Sequence, residues 1–255
     1  MPELPSSDAD GGGRVQSVDR AFAVLRELTA TPKGATALEL SRRTGIERTT
    51  VHRLLKTLIH WGMVTAHEGT YALGPECLLF AAGHISRREI RRAVLPYAVE
   101  LQEKVLQGRS ALVSISIPAR DRIVIVERIW TPLTPMNVII EIGDQFLIDE
   151  CASGKSVLST YSEERCIATL GQARYDKIRP DLRKIRQAGG FCMTVGNYKR
   201  GLASIALPFR GQSTEALGAI VVSGLDLEDC LDAESPLAQH LHRACENVSA
   251  ALRHG

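Results

Sequence analysis

Residues 38–61, LELSRRTGIERTTVHRLLKTLIHW, decide how the first part of this 255-residue chain folds. Gly45 separates two runs in which apolar residues recur at helical spacing. In the second run the apolar residues lie on one side of a helix: Val51, Leu54, Leu55 and Leu58. The stretch therefore predicts two short helices joined at a glycine, which is a helix-turn-helix.

The opposite side of the second helix is polar and basic, and it is the candidate DNA-binding surface. That side carries Thr49, Arg53, Lys56 and His60, and the candidate DNA-binding residues are Lys56 and those of the first turns: Arg48, Thr49, Thr50, His52 and Arg53. Arginine can donate two hydrogen bonds to a guanine edge and threonine offers a hydroxyl and a methyl, so the first turns suit base contacts in a major groove. Lys56 lies further along and suits a phosphate contact. An ordinary helical hairpin with a solvated basic face has the same spacing and stays an alternative at this point.

Further helices are expected on either side of this glycine turn. Residues 17–30 predict a first helix with Ser17 as its cap. Its expected buried stripe is Val18, Phe22, Leu25 and Leu28. The helices of the helix-turn-helix itself are expected at 35–44 and 47–60.

The segment that follows predicts a small β-hairpin. Gly62 ends the third helix, and two short β-prone runs in residues 63–74 flank Glu68-Gly69. Three helices and a hairpin form a winged helix-turn-helix, expected over residues 14–75. Residues 1–13 have neither the basic start nor the apolar core of a secretory signal and are expected to form a disordered acidic leader.

Charge and composition limit the functional classes. Residues 14–92 carry 13 Lys and Arg against 7 Asp and Glu, although the net charge of the whole chain is only +2. Such a basic segment suits contact with phosphates. No uncharged run exceeds 12 residues, short of the roughly 20 that a membrane-spanning helix needs. The six cysteines form no CxxC pair, which argues against zinc and disulfides and predicts free thiols in the cytoplasm.

Several stretches together resemble the IclR-type family of bacterial transcriptional regulators. They are VQSVDRAFAVLREL, TGIERTTVHRLLKTLIHWGMV with YALGP behind it, CASGKSVLS at 151–159, and GLASIALPF with LGAIVVSG at 201–224. The resemblance covers nearly all of the chain after Gly13. It implies a ligand-responsive, sequence-specific DNA-binding regulator of a catabolic operon, either repressor or activator. It also implies a homodimer or dimer of dimers on a near-palindromic operator, with no cofactor and no enzymatic activity.

Residues 76–108 are expected to form linker helices. Two helices are predicted there, with Pro96 tolerated near a helix start or as a kink. Four arginines cluster at their junction: Arg87, Arg88, Arg91 and Arg92. A solvated linker is favoured over a direct phosphate contact for this cluster. The resemblance implies that the segment joins a DNA-binding and an effector domain, so a signal would have to pass through it.

Residues 109–255 predict an α+β domain with an antiparallel sheet. β-Branched runs predict strands at 111–118, 123–129, 202–210 and 217–223. Helices are expected at 153–160, 162–170, 179–188 and 235–253. The resemblance implies a GAF-like fold, in which helices pack on a sheet that carries a ligand pocket on one face.

The sequence of this domain contains no complete motif that indicates an enzyme. The run CASGKS resembles the end of a phosphate-binding loop, but that pattern needs a glycine where Asp149 stands. No SxxK or GxSxG nucleophile motif occurs, and the histidines do not pair with acids at metal-ligand spacing. An enzyme with its catalytic domain in residues 93–255 and a protein-interaction adaptor remain the rival classes.

The same run also allows a ligand pocket, because small residues at a helix start permit close approach; a plain capped helix is the alternative. By resemblance, the effector-binding residues are Phe146, Ala152, Ser153, Thr194, Ser204, Val221 and Ser223. The chain departs from the family in residues 194–200, which contain no acid. A partly apolar or aromatic metabolite is therefore favoured, with Lys199 or Arg200 available for a carboxylate.

Overall fold

The computed structural model describes residues 13, 15–31, 33–82, 85–196, 200–225, 227 and 232–254. The chain divides into two compact units, the first ending at Ile85 and the second beginning at Ser86. The predicted linker, residues 76–108, is thus shared between the units. The predicted leader lies outside the described residues except for Gly13.

The first unit contains the predicted three helices and hairpin and, in addition, a fourth helix from the predicted linker. Its elements are α1 (Gln16–Thr29), β1 (Ala35–Thr36), α2 (Ala37–Thr44), α3 (Arg48–His60), β2 (Val64–His67), β3 (Thr70–Leu73) and α4 (Glu76–Ala82). The hairpin turns at Glu68 and Gly69, which both have positive φ, as a two-residue turn between right-twisted strands requires. The two-residue strand β1 pairs with β3 and was not predicted.

The interpretation of α1 was wrong at its start and on its buried face. The residue before the helix is Val15, not Ser17, and it makes no side-chain cap. Val18 and Phe22 are 48% and 62% exposed. Leu28 is buried as predicted and Leu25 packs against the core, whereas the other buried side chains, Ala23 and Val24, were not predicted. The helix carries two apolar stripes, and the one with the small Ala23 packs on the core, a choice that spacing does not reveal.

Local hydrogen bonds fix the start of α2 and the turn to α3. The Thr36 hydroxyl accepts from the Glu39 N–H while the Glu39 carboxylate accepts from the Thr36 N–H, which forms a capping box. Gly45 ends α2 with a φ of +68°, a conformation that side-chain-bearing residues rarely adopt. The Ser41 hydroxyl then donates to the Ile46 carbonyl across the turn, at 2.6 Å. The predicted glycine turn is confirmed.

The second unit is the predicted α+β domain with an antiparallel sheet, which has six strands rather than the four that were predicted. Its elements are α5 (Ile85–Glu100), β4 (Ala111–Ala119), β5 (Arg122–Trp130), β6 (Gln145–Leu147), α6 (Ala152–Leu158), α7 (Glu163–Leu170), α8 (Gln172–Gln187), β7 (Cys192–Val195), β8 (Ala203–Arg210), β9 (Ala216–Gly224) and α9 (Pro236–His254). The strand order is β6-β5-β4-β9-β8-β7.

The two faces of the sheet bury different cores. On β9, Ile220 and Val222 point to a core that includes side chains of α5 and α9. Ala219 and Val221 alternate with them and point to a second core with α6, α7 and α8. The candidate ligand site lies on this second face.

Helix α8 begins seven residues earlier than predicted. It starts at Gln172 rather than Arg179 and includes Pro180 in its interior. Four side chains at helical spacing anchor it in the core: Tyr175, Ile178, Leu182 and Ile185. Their burial stabilises the helix enough to offset the hydrogen bond that the proline removes.

Helix α5 contains Pro96 far from its start, so the first placement offered for this proline was wrong. The helix is followed by a π-helical turn at Leu101–Val105. A 3₁₀ turn at Met136–Val138 and the strands β6 and β7 were also not predicted. Throughout the described ranges, every helix is too short or too polar to cross a membrane.

Candidate nucleic-acid interface and ligand cavity

The polar face of α3 is open to solvent. Arg48, Thr49, Arg53 and Lys56 are exposed, whereas Thr50 and His52 are half-buried. Three apolar side chains on the other face are buried: Val51, Leu55 and Leu58. This burial against α1 and α2 leaves Arg48, Thr49, Arg53 and Lys56 facing solvent.

The cations of this surface are available to an outside partner. Within the part of the chain that the structure describes, Arg48, Arg53 and Lys56 form no ion pair. The first turn of α3 contains no acidic residue, although Glu47 stands immediately before it. Exposed guanidinium and ammonium groups held in rows on a helix suit the anionic backbone and base edges of a nucleic acid.

A cavity of about 60 Å³ lies on the second face of the sheet in the second unit. Six of the seven candidate effector-binding residues line it: Phe146, Ala152, Ser153, Ser204, Val221 and Ser223. The further lining residues are Leu112, Ser114, Ile125, Val138, Ile140, Cys151 and Leu202. The structure therefore brings the start of α6, the five neighbouring strands β6, β5, β4, β9 and β8, and the 138–140 segment around one space.

Thr194 does not line this cavity. It is half-buried on the edge strand β7, where it pairs with Ser204 of β8. Of the two expected basic groups, Arg200 is exposed and is not among the lining residues, and Lys199 lies outside the described residues.

Hydroxyl groups supply the polar part of the cavity. The hydroxyls of Ser204 and Ser223, which are opposite each other on β8 and β9, lie 2.9 Å apart. The Ser153 hydroxyl lies 3.4 Å from the Cys151 sulfur, which also accepts from the Gly154 N–H. Burial raises the pKa of the Cys151 thiol, so this group stays protonated at neutral pH. The described lining therefore carries no charge and offers hydrogen bonds from hydroxyls within an apolar wall.

The size of the cavity suits a compound of few atoms. About 60 Å³ is several times the space that one water molecule needs. An apolar protein cavity known to take benzene measures about 150 Å³. An aromatic ring would therefore fit only if the lining moved outward.

The GKS part of the CASGKS run has structural roles. A Cβ on Gly154 would lie 1.9 Å from the Ile148 carbonyl oxygen, so only glycine lets α6 approach that backbone. The Lys155 ammonium pairs with Asp181 at 2.9 Å. The buried Ser156 hydroxyl donates to the Gly190 carbonyl at 2.8 Å. These contacts fix α6 against α8 and the 190 loop.

Strand alternation could have identified two lining residues that sequence reasoning missed, Leu112 and Ser114. Ser114 lies on β4 opposite Val221, and Leu112 lies opposite Ser223. Both therefore share the cavity face with residues already singled out. Val138 and Ile140 lie in an irregular segment whose position no periodicity indicates.

Two family models match the chain. One described as the IclR helix-turn-helix domain matches residues 17–68. One described as the bacterial transcriptional regulator IclR C-terminal domain matches residues 82–250, about two thirds of the chain.

Curated relatives of similar length also match. An HTH-type transcriptional regulator of Mycobacterium tuberculosis is 29% identical over 245 residues, covering 84% of this chain and 91% of that protein. The glycerol operon regulatory protein of Streptomyces coelicolor is 26% identical over 231 residues, with 86% and 89% covered.

Solved structures share the fold of the chain. An IclR transcriptional regulator from Alicyclobacillus acidocaldarius has a TM-score of 0.74 at 20% identity, covering 94% of this chain and 99% of that one. An IclR homologue from Microbacterium hydrocarbonoxydans, complexed with 4-hydroxybenzoate, has a TM-score of 0.73 at 18% identity, with 94% and 100% covered.

Proposed function

This chain belongs to the IclR family of bacterial transcriptional regulators, and we propose that α3 is its recognition helix and the cavity in the second unit its effector site. The observation that carries the first half of the proposal is the exposed row of Arg48, Arg53 and Lys56, which have no ion-pair partner in the described chain. In this assignment the arginines contact base edges and Lys56 a phosphate.

The proposed assembly is a homodimer or a dimer of dimers. Large apolar side chains of the first unit are exposed on two helices, with Phe22 of α1 at 62% and Phe80 of α4 at 72%. Exposed aromatic side chains of this size can mark interaction surfaces, which supports self-association through this unit. Two copies of α3 would then enter successive major grooves about 34 Å apart, so the operator would be near-palindromic. Phe22→Glu with Phe80→Glu should dissociate the dimer in light scattering, and an unchanged mass would contradict this surface.

The proposed regulated genes form a catabolic operon, and the proposed effector is a small metabolite of that pathway. Two relatives are named for the glycerol operon and the Pca regulon, and a homologue of known structure holds 4-hydroxybenzoate. The apolar wall and the hydroxyls of Ser153, Ser204 and Ser223 support a small, partly apolar compound, and an aromatic one would require the lining to move outward. As a regulator of bacterial genes, the protein would work in the cytoplasm.

Fluorescence anisotropy on DNA from upstream of its own gene and the neighbouring gene tests this function. Titrations run at two salt concentrations, with and without a panel of small aromatic and aliphatic acids and alcohols. We expect binding that weakens steeply with salt, prefers one fragment over random DNA, and changes with at least one panel compound. Equal binding to all fragments contradicts a sequence-specific regulator.

The same titrations separate the rival classes. A protein-interaction adaptor would show no salt-dependent DNA binding. An enzyme with its catalytic domain in residues 93–255 would consume a panel compound when incubated with the full chain. Loss of substrate without any DNA binding would therefore replace the proposed function.

A further inference from the structure

Strand β5 contains a bulge that reverses which side chains face the cavity. Ile115 of β4 pairs with Glu127, whereas the next residue of β4, Ser116, pairs with Ile125. Val126 is therefore the extra residue, and a bulge of this kind shifts the alternation of the strand. Before the bulge, Ile125 lines the cavity; after it, Ile129 packs against the core of the opposite face.

The bulge places Glu127 on the side of α5. Glu127 is only 7% exposed, and its carboxylate forms an ion pair with Nε of Arg91, which lies on α5. The other carboxylate oxygen accepts a hydrogen bond from the backbone N–H of Arg128 at 3.0 Å. The carboxylate is largely removed from water, so losing either partner costs free energy and these contacts tend to persist when either side moves, although solvent around the exposed Arg91 screens part of that cost.

The next residue, Arg128, faces the cavity wall. Its side chain is 15% exposed, and one guanidinium nitrogen donates to the carbonyl of Ile140 and lies 2.6 Å from the carboxylate of Glu141. The guanidinium also stacks over the Trp130 ring at 4.6 Å. Ile140 lines the cavity. Arg128 therefore holds the segment that closes one side of the ligand space.

We propose that Glu127 and Arg128 couple the cavity wall at Ile140 to helix α5. A molecule in the cavity that displaces Ile140 shifts the Arg128 guanidinium, and the strand transmits this shift to the Glu127 carboxylate and so to Arg91. The proposal rests on the cavity being the effector site, and it adds the route by which occupancy reaches the helix that follows the DNA-binding unit in the chain.

If the contacts of Glu127 serve only to anchor α5, the expected effect of a substitution is different. The Arg91 side chain is 60% exposed, so its ion pair contributes little to global stability. If Glu127 only anchored α5, removing Arg91 would loosen that helix and nothing beyond the sheet. In a coupled system the effect is reciprocal, so a change on α5 must also reach the cavity wall.

Hydrogen exchange on the full chain, measured by mass spectrometry without DNA or effector, tests the coupling. Arg91→Met should speed the exchange of amides in residues 138–144 by at least about fivefold, the lower end of typical allosteric couplings. Arg128→Met should likewise speed exchange in residues 89–100. In a Glu127→Gln background, each substitution should add less than about twofold, because the link is already broken.

Arg122→Met is the matched control, since Arg122 lies on the same strand but holds neither partner. The proposal is overturned if Arg91→Met leaves residues 138–144 unchanged, or if the two arginine substitutions act additively with Glu127→Gln. Because Arg91 is largely exposed, its variant remains informative even where Arg128→Met unfolds the domain. The exchange readout involves no DNA, so a failure of operator binding and a failure of this coupling are separate results.

Discussion

The guanidinium of Arg174 on α8 donates two hydrogen bonds to the carboxylate of Asp149, from Nε to Oδ2 at 3.0 Å and from Nη2 to Oδ1 at 2.5 Å. A third contact, 3.2 Å long, reaches Asp121 in the β4–β5 turn. Burial acts to raise the pKa of Asp149, but the hydrogen bonds and charge of Arg174 outweigh it and hold that pKa below its usual value. Arg174 thereby fixes the loop that leads into α6 and the cavity.

Asp149→Asn should lower the free energy of unfolding by about 1 to 2 kcal/mol at pH 7, because it removes a charge-assisted pair that is partly screened by solvent. Since the pKa of Asp149 is lower in the folded protein than the ordinary 3.8, the carboxylate stabilises the fold above that pH. The difference from the parent should shrink as the pH falls below 3.8, which urea unfolding at several pH values measures. Asp176→Asn, on the exposed face of α8, is the control; an equal loss at pH 3 and pH 7 would refute the ion-pair explanation.

Filling the cavity should abolish the effect of the effector on operator affinity. Ser223→Phe and Ser153→Trp each place an aromatic ring in a space of about 60 Å³, and we expect both variants to lose the effector response while operator affinity changes less than about twofold. Anisotropy titrations of operator with increasing effector measure both quantities. Ser213→Phe, at an exposed position before β9, is the size-matched control. If both cavity variants respond to the effector as the parent does, the effector binds at another site.

Gln102 is a source of instability in the π-helical turn after α5. It is 4% exposed, and within the described chain neither its amide nitrogen nor its carbonyl oxygen has a hydrogen-bond partner. Each unpaired buried polar group costs about 1 to 3 kcal/mol. Gln102→Leu should therefore raise the unfolding free energy by about 1 kcal/mol or more in urea titrations. Gln187→Leu, exposed at the end of α8, should have almost no effect, and destabilisation by Gln102→Leu would show that the amide has a role that the contacts miss.

The amino-terminal fold follows from local signals in the sequence. Gly45, Gly62 and the Glu68-Gly69 turn each mark a change of direction, because their backbone conformations suit few residue types. The apolar spacing of α3 also indicated its buried face. The same reasoning failed on α1, where Phe22 has the right spacing but lies on the outside. Periodicity identifies an apolar stripe and does not say which partner covers it.

The cavity was predictable only in part. Strand alternation links Val221 and Ser223, and the resemblance to the family supplied the start of α6. Non-local geometry decides the rest: the 138–140 segment reaches the cavity through Arg128, and the bulge at Val126 changes which residues of β5 face it. Neither feature leaves a periodic trace in the sequence. Thr194 shows the converse, since it lies on the adjacent strand and still does not line the cavity.

The ratio of operator to random-DNA affinity in α3 variants tests the central claim most directly. If α3 reads bases, Arg48→Ala and Arg53→Ala should each lower this ratio. Where the contact is bidentate, the difference in binding free energy between operator and random DNA should fall by about 1 to 3 kcal/mol. Lys56→Ala should weaken both DNAs alike and leave the ratio unchanged, while Arg183→Ala, exposed on α8 of the other unit, should change neither. Arg48→Ala and Arg53→Ala variants that bind operator and random DNA just as the parent does would contradict the assignment of α3 as the recognition helix.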